Sequence, residues 1–98
     1  MAKEGIIGFE DLGVYQKLRE LHLSIHNLTL AFPKFELHEL GSQLRRSSNA
    51  MPANPAETWN NKYINLYSEG INRALRELRE TQHHLTIAYK KKYFSEEI

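Results

Sequence analysis

Apolar residues spaced three and four apart are the feature that most constrains how this chain folds. In the first third of the sequence the spacing joins six residues: Val14, Leu18, Leu21, Ile25, Leu28 and Phe32. This period places side chains along one face of an α-helix. We predict helix 1 over about residues 11–30. Phe32-Pro33 ends it, because a residue that precedes proline disfavours the helical conformation.

The same spacing recurs in two further segments and predicts helix 2 over about 34–50 and helix 3 over about 58–91. Helix 3 has a principal stripe that keeps this heptad spacing: Ile64, Ser68, Ile71, Leu75, Leu78, Gln82, Leu85 and Tyr89. A flanking stripe widens it: Tyr63, Leu66, Tyr67, Gly70, Ala74 and Ala88. No segment has the alternation of a β-strand. The fold class is therefore predicted to be all-α, an antiparallel up-and-down helical bundle.

Two prolines mark the joint between helix 2 and helix 3. Pro52 and Pro55 each remove an amide donor and crowd the preceding turn, so we expect helix 2 to end or bend there and the chain to reverse. Asn54 is the expected N-cap of the next helical segment, if Pro55 takes the first helical position. Met51 would help to close the turn. The predicted joint comprises Pro52, Asn54, Pro55, Glu57 and Trp59.

Length and composition limit the class of protein. The 98 residues support one domain over 1–98. The chain has no cysteine, which excludes a disulfide scaffold and fits a reducing compartment. We find no secretory signal and no run of ~20 apolar residues that would span a membrane, so we expect a cytoplasmic protein. Its net charge of +1 does not by itself indicate a nucleic-acid binder.

The carboxyl-terminal residues carry a helix start signal. In YFSEEI, Ser95 is a candidate N-cap and two glutamates follow it. We interpret this as the start of a fourth helix near residue 95, short or missing in this chain. Three helices would leave apolar surface that another subunit has to cover.

Several stretches resemble a known family. Residues 9–29, FEDLGVYQKLRELHLSIHNLT, are similar to the opening of the four-helix-bundle proteins encoded in 23S rRNA intervening sequences, formerly labelled ribosomal proteins. The stretch ELRETQHHL at 77–85 is similar to one branch of that family. The sequence departs from the family pattern at Pro55, where an aliphatic residue is usual, and at Thr58, where glycine is usual. The central signature matches at Phe32-Pro33, Glu36, Leu40, Ser42-Gln43-Leu44-Arg45-Arg46, Pro52, Asn54 and Ala56-Glu57.

The resemblance implies an antiparallel four-helix bundle that assembles with itself, commonly as a ring of five subunits, and whose biochemical role is unsettled. It also implies a relation to the accessory proteins of diversity-generating retroelements, which are thought to bind nucleic acid and a reverse transcriptase. The partners expected from it are further copies of the chain and RNA or DNA.

Basic residues are candidates either for phosphate contact or for structural ion pairs. Arg45 and Arg46 fall in the predicted last turns of helix 2, where they can bond free carbonyls or the carboxylate of Glu57, and guanidinium geometry also suits phosphate. Aromatic residues near the end of the chain can pack in the core or act as stacking platforms. Phosphate contact and structural ion pairs are also the two interpretations of six further basic residues: Arg73, Arg76, Arg79, Lys90, Lys91 and Lys92.

Metal and catalytic chemistry have little support. His22 and His26 lie four apart and can face one metal, but no third ligand is evident. Glu80 and His83 have the Glu-x-x-His spacing of di-iron bundles, which need a second such motif. No nucleophile motif or phosphate loop is present. We therefore expect no enzyme activity, no metal and no cofactor.

Two functional hypotheses agree with these observations. The first is a non-enzymatic, self-assembling helical-bundle protein that binds nucleic acid or a nucleic-acid-processing partner. The alternative is a structural or protein-interaction module with no nucleic-acid role. A metal-dependent bundle enzyme is a third interpretation.

Overall fold

Three α-helices make up most of the molecule. The computed structural model describes residues 8–59 and 64–94, with the side chains of 64–66 left out. Within these residues the helices are α1 (Gly13–Thr29), α2 (Leu40–Glu57) and α3 (Ile64–Lys90), with short 3₁₀ turns at Phe9–Asp11 and Lys34–Glu36. The described part contains no strand, which confirms the all-α prediction. None of its helices is long and apolar enough to cross a membrane.

The central helix is α2, and both of the others pack against it. On one side, His22 of α1 lies beside Ser48, and Thr29 of α1 beside Arg45. On an adjacent face of α2, Ser47 lies beside Thr81 of α3. For α1 and α2 the two pairs run in opposite directions, and for α2 and α3 so do Ser47–Thr81 and the close approach of Asn54 to Gly70, so both interfaces are antiparallel. Within the described residues the backbones of α1 and α3 come close to each other at few positions, and the molecule measures 46 × 26 × 19 Å.

A cluster of buried apolar residues lies where α1 ends, α2 begins and α3 ends. Its buried members are Ile25, Phe32, Leu40, Leu44 and Ala88. Helical spacing explains the two leucines, because residues four apart lie on one helix face. Burying large aliphatic side chains of this kind contributes roughly 1.5–3 kcal/mol each.

The face that α3 turns to α2 is the flanking part of its predicted apolar face. Residues with small or hydroxyl side chains are buried there: Gly70, Ala74, Thr81 and Ala88. Leu75, in the predicted principal stripe, stays 45% exposed. The flanking stripe is therefore the contact face, because the α2 residue that faces Thr81 is the small Ser47, and small residues on both sides allow the backbones to approach closely.

The expected end of helix 2 near residue 50 is wrong, because Pro52 and Pro55 lie inside α2 and the helix continues to Glu57. Both proline rings are buried, which offsets the loss of two amide donors. Side chains add hydrogen bonds in these turns: the Asn54 amide donates to the Ala50 carbonyl at 2.8 Å, and the Thr58 hydroxyl donates to the Asn54 carbonyl at 3.2 Å. Asn54 is thus not the N-cap of the next helix.

Other predicted boundaries also shift. Helix 2 begins at Leu40 rather than near residue 34, because Lys34–Glu36 forms a separate 3₁₀ turn. The chain reverses after Thr58, and the described part of α3 starts at Ile64. Trp59 packs edge-on against Tyr67 with ring centroids 6.4 Å apart, as a residue closing the turn would. The predicted helix start at Ser95 lies outside the described residues.

Replacing Gly70 with alanine should destabilise the protein, because α3 touches the end of α2 there. A Cβ at Gly70 would stand 2.9 Å from the Asn54 carbonyl oxygen and would clash with the Thr58 hydroxyl. We expect the free energy of unfolding in urea to fall by about 1–3 kcal/mol. Gly13→Ala is the control, since a Cβ at Gly13 meets nothing within 4 Å. Equal stabilities of the two variants would contradict the close contact.

Thr81→Val should also weaken the α2–α3 interface. The Ser47 and Thr81 hydroxyls share a buried hydrogen bond of 2.8 Å, and valine keeps the shape but removes the bond. We expect a loss of about 1 kcal/mol, measured by thermal unfolding. In the exposed control Thr86→Val the loss should stay within about 0.5 kcal/mol. A Thr81→Val variant as stable as the control would rule out a contribution from the hydroxyl pair.

Candidate nucleic-acid interface

A buried carboxylate joins the α1–α2 connection to the end of α3. The Glu36 residue is 4% exposed. Its Oε2 accepts hydrogen bonds from Lys91 Nζ at 2.9 Å and from Tyr93 Oη at 2.8 Å. Its Oε1 accepts a long bond, 3.4 Å, from the backbone N–H of Leu40. Residues 55 positions apart in the sequence are thereby held together.

A tight turn after α3 delivers Tyr93 to this carboxylate. Lys92 has a left-handed backbone, with φ of 64°, and the Tyr93 N–H bonds back to the Ala88 carbonyl at 3.0 Å. This is the Schellman pattern that ends many helices. It folds Tyr93 back onto Phe32, with ring centroids 5.1 Å apart.

The network shifts the pKa values of its members in the directions that favour the ion pair. Hydrogen bonds from Lys91 and then Tyr93 lower the pKa of Glu36 below its ordinary 4.5. The hydrogen bond to Glu36 raises the pKa of Lys91. Burial, followed by the bond to Glu36, raises the pKa of Tyr93. Lys91 therefore stays charged and committed to Glu36, which makes it a structural residue.

Arg45 is also a structural residue, but its position differs from the predicted one. It lies in the second turn of α2 rather than near its end. One guanidinium nitrogen donates to the Thr29 hydroxyl at 2.9 Å and the other to the Leu37 carbonyl at 2.7 Å. The Thr29 hydroxyl in turn donates to the His26 carbonyl at 2.8 Å. Arg45 thus ties the end of α1 to the connection between α1 and α2.

The other predicted basic residues lie on the surface. Arg73 pairs with Glu69 at 3.6 Å, as their i,i+4 spacing predicts. Both side chains are about half exposed, so the pair contributes only roughly 0.3–0.5 kcal/mol. Five further residues have exposed side chains available to a ligand: Arg46, Arg76, Arg79, Lys90 and Lys92. The structure therefore separates this surface group from Arg45 and Lys91.

The fold adds residues that sequence reasoning did not select. Because Glu36 is anchored to Lys91, its neighbours Lys34 and Phe35 lie at the same end of the molecule as Lys90 and Lys92. The Phe35 residue is 72% exposed, and Lys34 and His38 beside it are also exposed. We call this surface the basic end: Lys34, Phe35, His38, Lys90 and Lys92. The one sequence feature that could have indicated this surface is Phe35, an aromatic residue between two charged residues just after Pro33.

A cleft of about 270 Å³ adjoins the basic end between α2 and α3. Its polar lining has both signs of charge, with Glu39 and Lys91 facing the same space, together with Gln43, His83 and His84. Mixed charge gives the cleft no strong preference for an anion. The lysines of the basic end do not line it.

Four of the five histidines, His22, His26, His83 and His84, make pairwise contacts. His22 Nδ1 lies 2.7 Å from the Ser48 hydroxyl, and burial, with a smaller effect from His26, lowers the pKa of His22. Glu80 pairs with His84 at 3.3 Å rather than with His83. Within residues 8–59 and 64–94, no group of three or more metal-binding side chains is close enough to hold a metal ion.

Replacing Glu36 with glutamine should lower the melting temperature at neutral pH. The lowered pKa of Glu36 means that its contribution is present above the ordinary value of 4.5 and is lost as the pH falls through the lower folded value. Thermal melts from pH 7 to about pH 3 should therefore show wild type and Glu36→Gln converging at acid pH. The control is Glu39→Gln, at an exposed neighbour. Parallel curves for wild type and Glu36→Gln would contradict the carboxylate's role.

Comparison with known proteins adds a family assignment. A family model described as 23S rRNA-intervening sequence protein matches residues 10–98. Searches of curated proteins and of solved structures gave no significant match. The family match covers every described helix, the connection that contains Glu36, and the basic end.

Proposed function

Because this chain belongs to the family of 23S rRNA-intervening sequence proteins, we propose that it is a non-enzymatic helical protein that binds single-stranded nucleic acid, RNA in particular, through its basic end. The family description assigns no ligand. The observation that carries the proposal is the exposed Phe35 ring beside Lys34, at the end that also presents Lys90 and Lys92.

The chemistry of this end suits a flexible polyanion. Lysines on a single-stranded backbone release counterions and so provide affinity that depends on salt. An exposed aromatic ring among them offers a platform on which a base can stack, with roughly 1–3 kcal/mol per base. Phe35 gains little from folding, because most of its surface stays in water. A stacked base would remove that surface from water.

The internal ion pair supports the same proposal indirectly. Glu36 neutralises Lys91 and fixes the connection against α3, so Lys34 and Phe35 are positioned without using the exposed lysines. Arg76 and Arg79 lie earlier in α3, away from the basic end, and alternate with Glu77 and Glu80. These glutamates offset the charge of the two arginines, so we expect the arginines to contribute less than the basic end.

Fluorescence anisotropy with a labelled single-stranded RNA, repeated over a series of salt concentrations, tests this function. The variant Lys34→Ala, Lys90→Ala, Lys92→Ala should bind at least tenfold more weakly and reduce the salt slope by about 2, since each lost phosphate contact removes roughly 0.7. Phe35→Ala should weaken binding by about 5- to 100-fold. Circular dichroism should be unchanged in both, because the residues are exposed.

Matched controls are Lys17→Ala and Leu23→Ala, both at exposed positions on α1. They should bind RNA as the wild type does. A wild type that does not bind RNA at low salt, or a triple variant that binds as well as Lys17→Ala, would overturn the proposal. Tighter binding to DNA than to RNA of the same sequence would exclude the RNA preference.

A protein-interaction module is the second candidate, and one observation favours it. Apolar side chains of α1 and α3 remain exposed beside a second groove, which lies between these two helices. Such a surface suits self-assembly, including the ring of five that the family resemblance implies. An exposed apolar surface would allow the protein to act as an interaction module without contacting nucleic acid.

A further inference from the structure

The cleft between α2 and α3 lies directly beside the basic end. Glu36 lines the cleft and follows Phe35 in the chain. Lys91 also lines it and lies between Lys90 and Lys92. The volume of about 270 Å³ is slightly below the roughly 300–1,000 Å³ of pockets that hold drug-sized ligands. The cleft therefore has room for one small ring system, next to a polymer that the lysines would bind.

Two polar side chains that line the cleft are not used by the fold. Glu39 directly precedes α2 and Gln43 lies one turn further on, so helical spacing puts both on the same face. Both are exposed, and within residues 8–59 and 64–94 neither side chain makes a hydrogen bond or an ion pair. The nearby Lys91 ammonium pairs with Glu36 instead, at 2.9 Å. The Glu39 carboxylate and the Gln43 amide are therefore available to a ligand.

The rest of the lining suits a flat aromatic group. Leu40 is buried and Ile87 is half-buried, and together they give the cleft an apolar part. The rings of His83 and His84 lie 5.4 Å apart. The His84 side chain is only 14% exposed and its Nε2 lies 3.3 Å from a carboxylate oxygen of Glu80. His84 is thus held by its neighbours, whereas the exposed His83 ring can stack on a base, as histidine does in the recognition of single-stranded RNA.

The hydrogen-bonding groups of Glu39 and Gln43 distinguish between the four RNA bases. Guanine presents two adjacent donors on its Watson–Crick edge, the N1–H and the 2-amino group, and one carboxylate can accept hydrogen bonds from both. The neighbouring O6 of guanine can accept a hydrogen bond from the amide of Gln43. Uracil has two carbonyl oxygens beside its single N–H, and these repel a carboxylate. Adenine and cytosine each offer one donor group next to an acceptor nitrogen, so guanine fits this pair of side chains best.

We propose that the cleft is a base-specific subsite that accepts one guanine of a bound RNA strand, with Glu39 as the residue that determines the specificity. This inference rests on the proposed function, because the basic end provides the affinity for the strand and the cleft provides the selection. Phosphate contacts position a nucleic acid, whereas contacts to base edges specify its sequence. The division agrees with the charges, since the cleft has both signs and takes the uncharged base, while the phosphates stay at the lysines outside it.

Two labelled RNAs that differ in one base test the selection by fluorescence anisotropy. One is a short oligouridine, and the other is the same strand with a single central guanosine. The wild type should bind the guanosine RNA roughly 5- to 150-fold more tightly, which is the discrimination that one good bidentate contact provides. Inosine in place of the guanosine removes only the 2-amino group, and it should lose most of this advantage.

Variants of the cleft identify the residues that select the base. Glu39→Gln keeps the size of the side chain but removes one of its two acceptors and its charge, so the preference for guanosine should fall roughly fivefold or more. Gln43→Ala should also reduce the preference, and it covers the case in which Glu39→Gln does not fold. The matched control is Glu20→Gln, at an exposed glutamate on α1, which should keep the preference of the wild type.

The two RNAs also separate this inference from the proposed function. Equal binding of both RNAs by the wild type would contradict the subsite and leave RNA binding by the basic end standing. Binding of neither RNA at low salt would overturn both. A folded Glu39→Gln protein with the full preference for guanosine would exclude Glu39 as the residue that determines specificity. The basic-end triple variant should weaken the binding of both RNAs by the same factor, because its lysines do not contact the base.

Competition with guanosine monophosphate distinguishes an RNA strand from a free nucleotide as the source of the base. The free nucleotide has one phosphate for the lysines of the basic end, so it should displace the labelled RNA only at far higher concentrations than the unlabelled guanosine RNA does. Equal potency of the two competitors would assign the cleft to a free guanine nucleotide and would refute the assignment to RNA.

Discussion

The close contact between α2 and α3 decides the arrangement of the whole molecule. Ser47 and Thr81 share a buried hydrogen bond, and Gly70 lies against the end of α2. Contacts of this kind are possible only where both helices present small side chains. Since α3 turns this narrow face to α2, Leu75 and Leu78 lie to the side, where they line an apolar groove together with Val14 and Leu18 of α1.

The Glu36 carboxylate has the corresponding role at the end of the molecule. Burying a carboxylate is unfavourable unless hydrogen bonds and a countercharge compensate it. Lys91 and Tyr93 provide both. The same bonds place the connection against α3, and with it Lys34 and the exposed ring of Phe35. A structural ion pair thus creates the surface for which we propose a nucleic-acid role, and it removes Lys91 from that surface.

Arg45, Pro52 and Pro55 show where local reasoning was insufficient. Sequence position placed Arg45 near a helix end, and the prolines were expected to cause that end. In the structure the helix passes through both prolines, because their rings are buried and side chains such as Asn54 add hydrogen bonds to neighbouring carbonyls. Helix propensity is a weak prior that tertiary packing can override. Arg45 consequently bonds Thr29 and Leu37 in the connection rather than groups at the joint.

The all-α fold, the presence of three helices and the Glu69–Arg73 pair could be predicted from the sequence, because helical periodicity and i,i+4 spacing are local properties. The family was also recognisable from its central motif, and the match over residues 10–98 confirms it. Other properties depended on residues far apart in the chain. These were the face that α3 buries, the partner of Glu36, and the grouping of Lys34 and Phe35 with Lys90 and Lys92. Only the tertiary structure decided them, because a periodic pattern shows which residues share a helix face but not which of two adjacent faces fits its neighbour most closely.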